Sequence, residues 1–228
     1  WLFYETDYNW RVEPEIGGKT RAVGDIGSHW CDLAQTITGL RITEVLADFA
    51  TVIPVRKRSK IIETFSKVQD VTSYEERKVE NEDWAAVIVH FENGVRGVFY
   101  VSQVSAGRKC YFNIEIDGSK KSFYWNQESG DQMWIGYRDQ PNVIAMRDPN
   151  QLSENCRRYV LAPAGHPEGW LDAFKNNLQA SYSFIVEGKN IEDEKPEFAT
   201  FYDGYDIACV VDAIVKSSQT KSWVKVER

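Results

Sequence analysis

The sequence contains no run of about 20 consecutive apolar residues, the length a membrane-spanning helix requires. Nor does any Gly-x-Gly-x-x-Gly follow a strand-like segment. The first absence argues against a membrane-embedded chain. The second, together with the lack of alternating strand and helix patterns, removes the usual means of cradling a dinucleotide. Positive charge is in the minority, with 27 Lys and Arg against 34 Asp and Glu and a formal net charge of −7. That balance argues against a nucleic-acid partner or an anionic membrane surface. Cysteine is sparse: Cys31, Cys110, Cys156 and Cys209 are widely spaced and never form Cys-x-x-Cys. A zinc or redox site is therefore not indicated, and no metal is expected; free thiols in a reducing cytoplasm are. Internal repeats, low-complexity tracts and a Walker loop are also lacking. The opening Trp1-Leu2-Phe3 has neither an initiator methionine nor the character of a signal peptide, and reads as a cut through a longer chain.

What is present is globular. Of 228 residues, 43% are hydrophobic and 13% aromatic, enough to bury a substantial core. After an irregular polar-aromatic opening broken at Gly17-Gly18, a helical pattern starts at Ile26 and stops at Gly39. Residues 42–54 are β-rich. Residues 55–83, dense in charge, read as a long mobile connection. Residues 84–91 and 95–104 flank Asn93-Gly94, the strongest hairpin signal in the chain. Shorter strands are predicted near 110–116, 121–125, 132–137 and 142–145. Two late helices are predicted over 167–187 and 201–217, then a closing strand over 222–226. The fold class that follows is α+β, with a large, mostly antiparallel, open-faced sheet and helices packed on one side.

The densest chemical cluster is Asp25-Ile26-Gly27-Ser28-His29. Asp25 and His29 are four residues apart at a predicted helix start, so both side chains can share one face or its lip. First-turn amides would keep Asp25 ionised. A carboxylate beside an imidazole fixes its tautomer and favours the proton it takes up, which suits a base acting on a hydroxyl group. As a bare pattern this pair is more often a helix cap than a catalytic dyad, and two ligands alone do not make a metal site.

The ordered motifs of the chain resemble the glucose–fructose oxidoreductase, inositol dehydrogenase and MocA family, in the C-terminal domain only. They are Trp10-Arg11, Gly17-Gly18, Asp25-Ile26-Gly27-Ser28-His29, Asp32-Leu33, Gly39, Glu82-Asp83, Asn93-Gly94 and Glu115-Ile116-Asp117-Gly118-Ser119. Gly165-His166-Pro167-Glu168-Gly169-Trp170, Asp172-Ala173-Phe174, Asp203-Gly204 and Ser222-Trp223-Val224 continue the series over nearly the whole chain. The resemblance implies a single substrate domain over 1–228 whose N-terminal Rossmann domain is absent. It implies a sugar or polyol substrate, NAD or NADP held mainly by the other domain, and self-association through the open sheet face. His29 would be the general acid–base and Asp25 its partner and a substrate contact. Glu194-Lys195-Pro196 imitates the family's lysine motif but sits in a charged loop between two helices, and its lysine is not carried over.

Arg11 and Arg21, flanking the glycine break, are candidates for holding substrate hydroxyls. His166, where a loop meets a helix, and Arg108, past a strand end, are further candidates. His90, inside a strand pattern, reads as structural. Two other functions compete with a dehydrogenase domain: a sugar-binding module without chemistry, and an oligomerisation domain. Retention of both Asp25 and His29 argues against the first.

Overall fold

A computed structural model describes residues 2–59 and 74–228. The chain divides into two compact units, one formed by 1–108 with 201–228 and the other by 109–200.

In the first unit, a short helix α1 (Pro14–Gly17) precedes a π-helical turn (Val23–Gly27) that runs directly into α2 (Ser28–Thr38). Strands β1 (Ile42–Ala50), β2 (Val55–Ser59), β3 (Tyr74–Lys78), β4 (Trp84–Phe91) and β5 (Arg96–Ser102) follow. The second unit supplies β6 (Asn113–Asp117), β7 (Ser122–Asn126), β8 (Gln132–Gly136), β9 (Val143–Met146), the short α3 (Glu154–Arg157) and α4 (Trp170–Val186). Helix α5 (Phe201–Thr220) and β10 (Val224–Lys225) return the chain to the first unit.

Every strand pairing among the described residues is antiparallel. The strands form a sheet ordered β10-β1-β4-β5, a β2-β3 ribbon, and a meander β6-β7-β8-β9. The α+β antiparallel class is the one predicted, with its strands shared among these sheets. In β4, Ala85, Val87, Val89 and Phe91 are buried while Ile88 between them is exposed, the period-2 signature of a half-covered strand. Val45, Val87 and Val89 of the sheet and Val210 and Ile214 of α5 are fully buried. Each such side chain contributes about 1.5–3 kcal/mol by leaving water. The opposite face of the sheet exposes Ile88, Val98 and Tyr100.

The edge of β1 beyond the two-residue β10 is completed by α5. Ser217 Oγ accepts from the Ala47 amide at 3.0 Å and donates to the Ser222 carbonyl at 2.6 Å. His90 has the structural place expected of it, its ring stacked on Trp223 at 4.0 Å and its Nδ1 3.0 Å from Glu44 Oε2. The hairpin signal is realised with Asn93 at φ 57° and Gly94 at φ 79°, the left-handed pair that such a turn demands.

Two expectations need correction. The charge-rich stretch is not all connection, because 55–59 and 74–78 pair as a ribbon; residues 60–73 lie outside the described part. Lys57 stands opposite Glu76 and Arg58 opposite Glu75, so the charges that suggest a loop form complementary cross-strand pairs. The helical pattern at 26 begins earlier, as the π turn from Val23, and only then becomes α2. Ser28 donates its amide to the Val23 carbonyl five residues back.

Candidate active site

The π turn is organised by Glu82, which lies between β3 and β4. Its carboxylate accepts from the amides of Arg21 (3.0 Å) and Val23 (2.8 Å) and from the Thr20 hydroxyl (2.6 Å). These donors have no helical partner upstream, so the acid performs the work of a cap from 59 residues away. Asp83, fully buried, pairs with Arg21 and with Arg56 and accepts the Ile53 amide at 2.8 Å. Arg56 then donates to the carbonyls of Leu2, Tyr4 and Asp7, at 2.8, 3.0 and 2.7 Å. The segment leading into the site is thereby tied to β2 and to the start of β4.

Asp25 sits in the middle of the π turn. Arg11 Nε donates to its Oδ1 at 3.2 Å and Gln103 Nε2 to its Oδ2 at 3.1 Å. Its partners are these two side chains and not the first-turn amides that the sequence suggests. The residue before α2, Gly27, is itself helical and provides no side-chain cap, so Asp25 is not a helix N-cap. Gly17 permits the approach of Arg11, since a Cβ there would lie 3.0 Å from the Arg11 Cα and carbonyl oxygen.

His29 is in the first turn of α2 and exposed. The helix beneath it is fixed on several sides. Trp30 stacks on Phe99 at 4.6 Å, and Gln35 donates to Asp206 Oδ2 at 2.9 Å while accepting the Ile42 amide at 2.7 Å. Among the described residues no hydrogen bond or ion pair joins Asp25 directly to His29. Cys31, beneath the same turn, is fully buried, and burial with Asp32 nearby pushes its thiol up to about 12, which leaves it unreactive.

The remaining candidates separate clearly. Arg11 lies beside Asp25, which engages it, and its guanidinium lies 4.4 Å from the Trp10 ring centre. Arg21 does not belong on a substrate surface. Its side chain is wholly buried against Asp83, and desolvation aided by Arg56 brings it down to about 10. It is a framework cation, and the expectation that it holds substrate is corrected. Arg108 is exposed near the end of the first unit, its amide donating to the Ser105 carbonyl at 3.3 Å.

His166 is in the second unit, exposed, after Gly165 at φ 80°. Its loop is held by Arg147, which donates to the carbonyls of His166 and Ala162 and pairs with Asp131 at 2.7 Å. A cavity of about 340 Å³ lies beside that loop, lined by Gln127, Asp131, Met146, Gly165, Pro167 and Glu168 among others.

Sequence reasoning missed Gln103 and the role of Glu82. Gln103 had a readable signal: strand alternation places Phe99, Val101 and Gln103 on the inward face, where an amide is out of place. Glu82 stands in the motif series as Glu82-Asp83, but nothing local in the sequence connects it to residues 20–23.

Residues 1–124 match the GFO/IDH/MocA C-terminal domain. Levoglucosan dehydrogenase of Pseudarthrobacter phenanthrenivorans is 27% identical over 96% of this chain and 54% of its own length. The structure resembles that of an oxidoreductase domain protein from Kribbella flavida, with TM-score 0.82, 26% identity, and coverage of 100% of this chain and 57% of that one. It also resembles levoglucosan dehydrogenase in complex with NADH and levoglucosan, with TM-score 0.80, 25% identity, and coverage of 100% and 56%. The chain spans about half the length of the curated relatives it matches. With the match extending over more than half its residues, the chain belongs to the GFO/IDH/MocA C-terminal domain family.

Proposed function

We propose that the chain is the substrate-binding half of an NAD- or NADP-dependent dehydrogenase acting on a hydroxyl of a sugar or polyol. The observation that carries this reading is an exposed His29 four residues from an Asp25 whose two oxygens are held by Arg11 and Gln103. The levoglucosan dehydrogenase similarity supports a sugar-like substrate.

In this reading His29 takes the hydroxyl proton, and Asp25 accepts a hydrogen bond from the substrate. A carboxylate with one donor on each oxygen retains lone pairs for a substrate hydroxyl. Oxidation of the alcohol carbon requires a hydride acceptor, which is the chemistry a nicotinamide supplies. The chain does not fit the cofactor by itself: its described strands are all antiparallel and it has no glycine-rich fingerprint. The cofactor is therefore assigned mainly to an N-terminal Rossmann domain, and the 228 residues alone are proposed to be inactive. Among the described residues no helix is long and apolar enough to cross a membrane. The four free cysteines agree with a reducing, cytoplasmic setting. The exposed Ile88, Val98 and Tyr100 favour self-association through the open sheet face.

The test is an assay of the intact polypeptide with NAD and NADP against a panel of sugars and polyols, alongside His29→Asn. The expected result is turnover that His29→Asn lowers by about 10²- to 10⁴-fold. An intact protein that binds sugars yet oxidises none would make this a binding module, and tight NADH binding by the 228 residues alone would contradict the assignment of the cofactor.

A further inference from the structure

We propose that Gln103 is a positioning residue for Asp25, holding its carboxylate in the orientation the site needs; the inference rests on the dehydrogenase reading above.

Gln103 follows β5, its side chain inward and 4% exposed. Nε2 donates to Asp25 Oδ2 at 3.1 Å, while Oε1 is buried without a hydrogen-bond partner among the described residues. The carboxylate decides the amide's orientation, since an anion's oxygen requires the NH₂ end. A buried carbonyl left unpaired is destabilising, so an apolar residue would serve packing better. The amide's hydrogen bond to a charged group is what offsets that cost.

The backbone around Gln103 is fixed by the same framework that shapes the π turn. Its amide donates to the Asp83 carbonyl at 3.0 Å, and the Asp83 side chain is locked by Arg21 and Arg56. Glu82, the adjacent residue, holds the amides of Arg21 and Val23 at the start of the turn. The dipeptide Glu82-Asp83 thus places both ends of one hydrogen bond, the turn bearing Asp25 and the strand end bearing Gln103. Arg11 approaches the other oxygen from the opposite side in sequence, 14 residues before Asp25 against 78 after it. Two donors, one per oxygen, remove the freedom of the carboxylate to rotate.

The experiment compares wild-type, Gln103→Leu and Gln103→Glu forms of the intact protein. In Gln103→Leu the donor is lost, and kcat should fall by about ten- to a hundredfold, the scale of one hydrogen bond to a charged group, with KM for the nicotinamide cofactor unchanged. In Gln103→Glu the new carboxyl can donate to Asp25 only while it carries a proton. Its activity should therefore be partly restored at lower pH and lost as pH rises, with the alkaline limb of the profile displaced to lower pH than in wild type. A purely structural role would lower both variants without that pH-dependent rescue, and a Gln103→Leu protein with wild-type kcat and KM overturns the inference. A readout independent of turnover separates the two claims. The Gln103 side-chain amide proton should resonate downfield in wild type and move upfield in Asp25→Asn; an amide resonance indifferent to Asp25 also overturns the proposal. If the intact wild type oxidises nothing, the dehydrogenase reading fails, and the amide resonance alone decides whether Gln103 orients Asp25.

Discussion

Arg11 Nε donates to Asp25 Oδ1 at 3.2 Å, and both side chains keep about a third of their surface in solvent. A half-exposed pair of this kind contributes little to stability, because water competes for both charges and ordering a long side chain costs entropy. Arg11→Met should therefore leave unfolding free energy within about 1 kcal/mol of wild type. The same change frees one oxygen of Asp25, and if the proposed dehydrogenase activity is present, kcat/KM for its sugar or polyol should fall about tenfold or more. Denaturant melts and steady-state kinetics on the same variant check both halves. A large stability loss would place Arg11 in the framework instead of the site.

The framework itself behaves oppositely. Arg21, Arg56 and Asp83 are buried to the last atom, with one carboxylate serving two guanidinium groups. Removing Asp83 strands both cations, so Asp83→Asn should cost about 3–5 kcal/mol, whereas Arg21→Met leaves Asp83 still paired with Arg56 and should cost less. Urea unfolding of the two variants tests the ranking. Equal losses would mean that Arg56 does not satisfy Asp83 alone.

Asp206 on α5 links three elements: its carboxylate takes hydrogen bonds from Gln35 and Arg228, with Arg41 nearby. Burial alone would raise its pKa, but the bonds from Arg228 and Gln35 outweigh it and hold the group below the ordinary carboxylate value. A carboxyl depressed in the folded state contributes stability above its unfolded pKa of about 3.9, and that contribution is lost as pH falls through the folded value. Asp206→Asn should therefore be less stable than wild type at neutral pH, by about 1.5–3 kcal/mol for bonds to a charged group. The gap should close on acidification below about pH 4. Urea melts from pH 7 to pH 3 measure it, and a gap that widens in acid would reverse the sign assigned here.

Val98 and Tyr100 project from β5 on the face of the sheet that α5 does not cover, 69% and 68% exposed. If that face pairs with a second copy, Val98→Asp buries a charge at the interface and should convert an oligomer to a monomer with no loss of thermal stability at low protein concentration. Sizing by light scattering decides it. A wild-type protein that is already monomeric, or a variant that remains associated, removes the sheet face as the contact.

Much of the architecture was legible because it depends on local pattern. The β4–β5 hairpin follows from alternation around Asn93-Gly94, and both late helices from their apolar spacing. The β2–β3 ribbon was hidden because its stabilising charges face each other across strands: Lys57 and Glu76 are neighbours in the sheet and 19 positions apart in sequence. Asp25 and His29 stood out by spacing and by family resemblance. The misplacement of Arg21 has the same root as the unforeseen role of Glu82. Whether an arginine faces solvent or a buried carboxylate is set by a residue some 60 positions away.

The sequence by itself determined the α+β antiparallel class, the family, and the presence of an acid and an imidazole one helical turn apart, since each is written in residue order and periodicity. Only the tertiary structure decided what those two groups experience. It replaced the expected helix cap with a π turn built on Glu82, gave Asp25 its donors from Arg11 and Gln103, and withdrew Arg21 into a buried ion network. Hydrogen bonds and ion pairs act over about 3 Å of space whatever the distance along the chain, and folding is what converts one measure into the other.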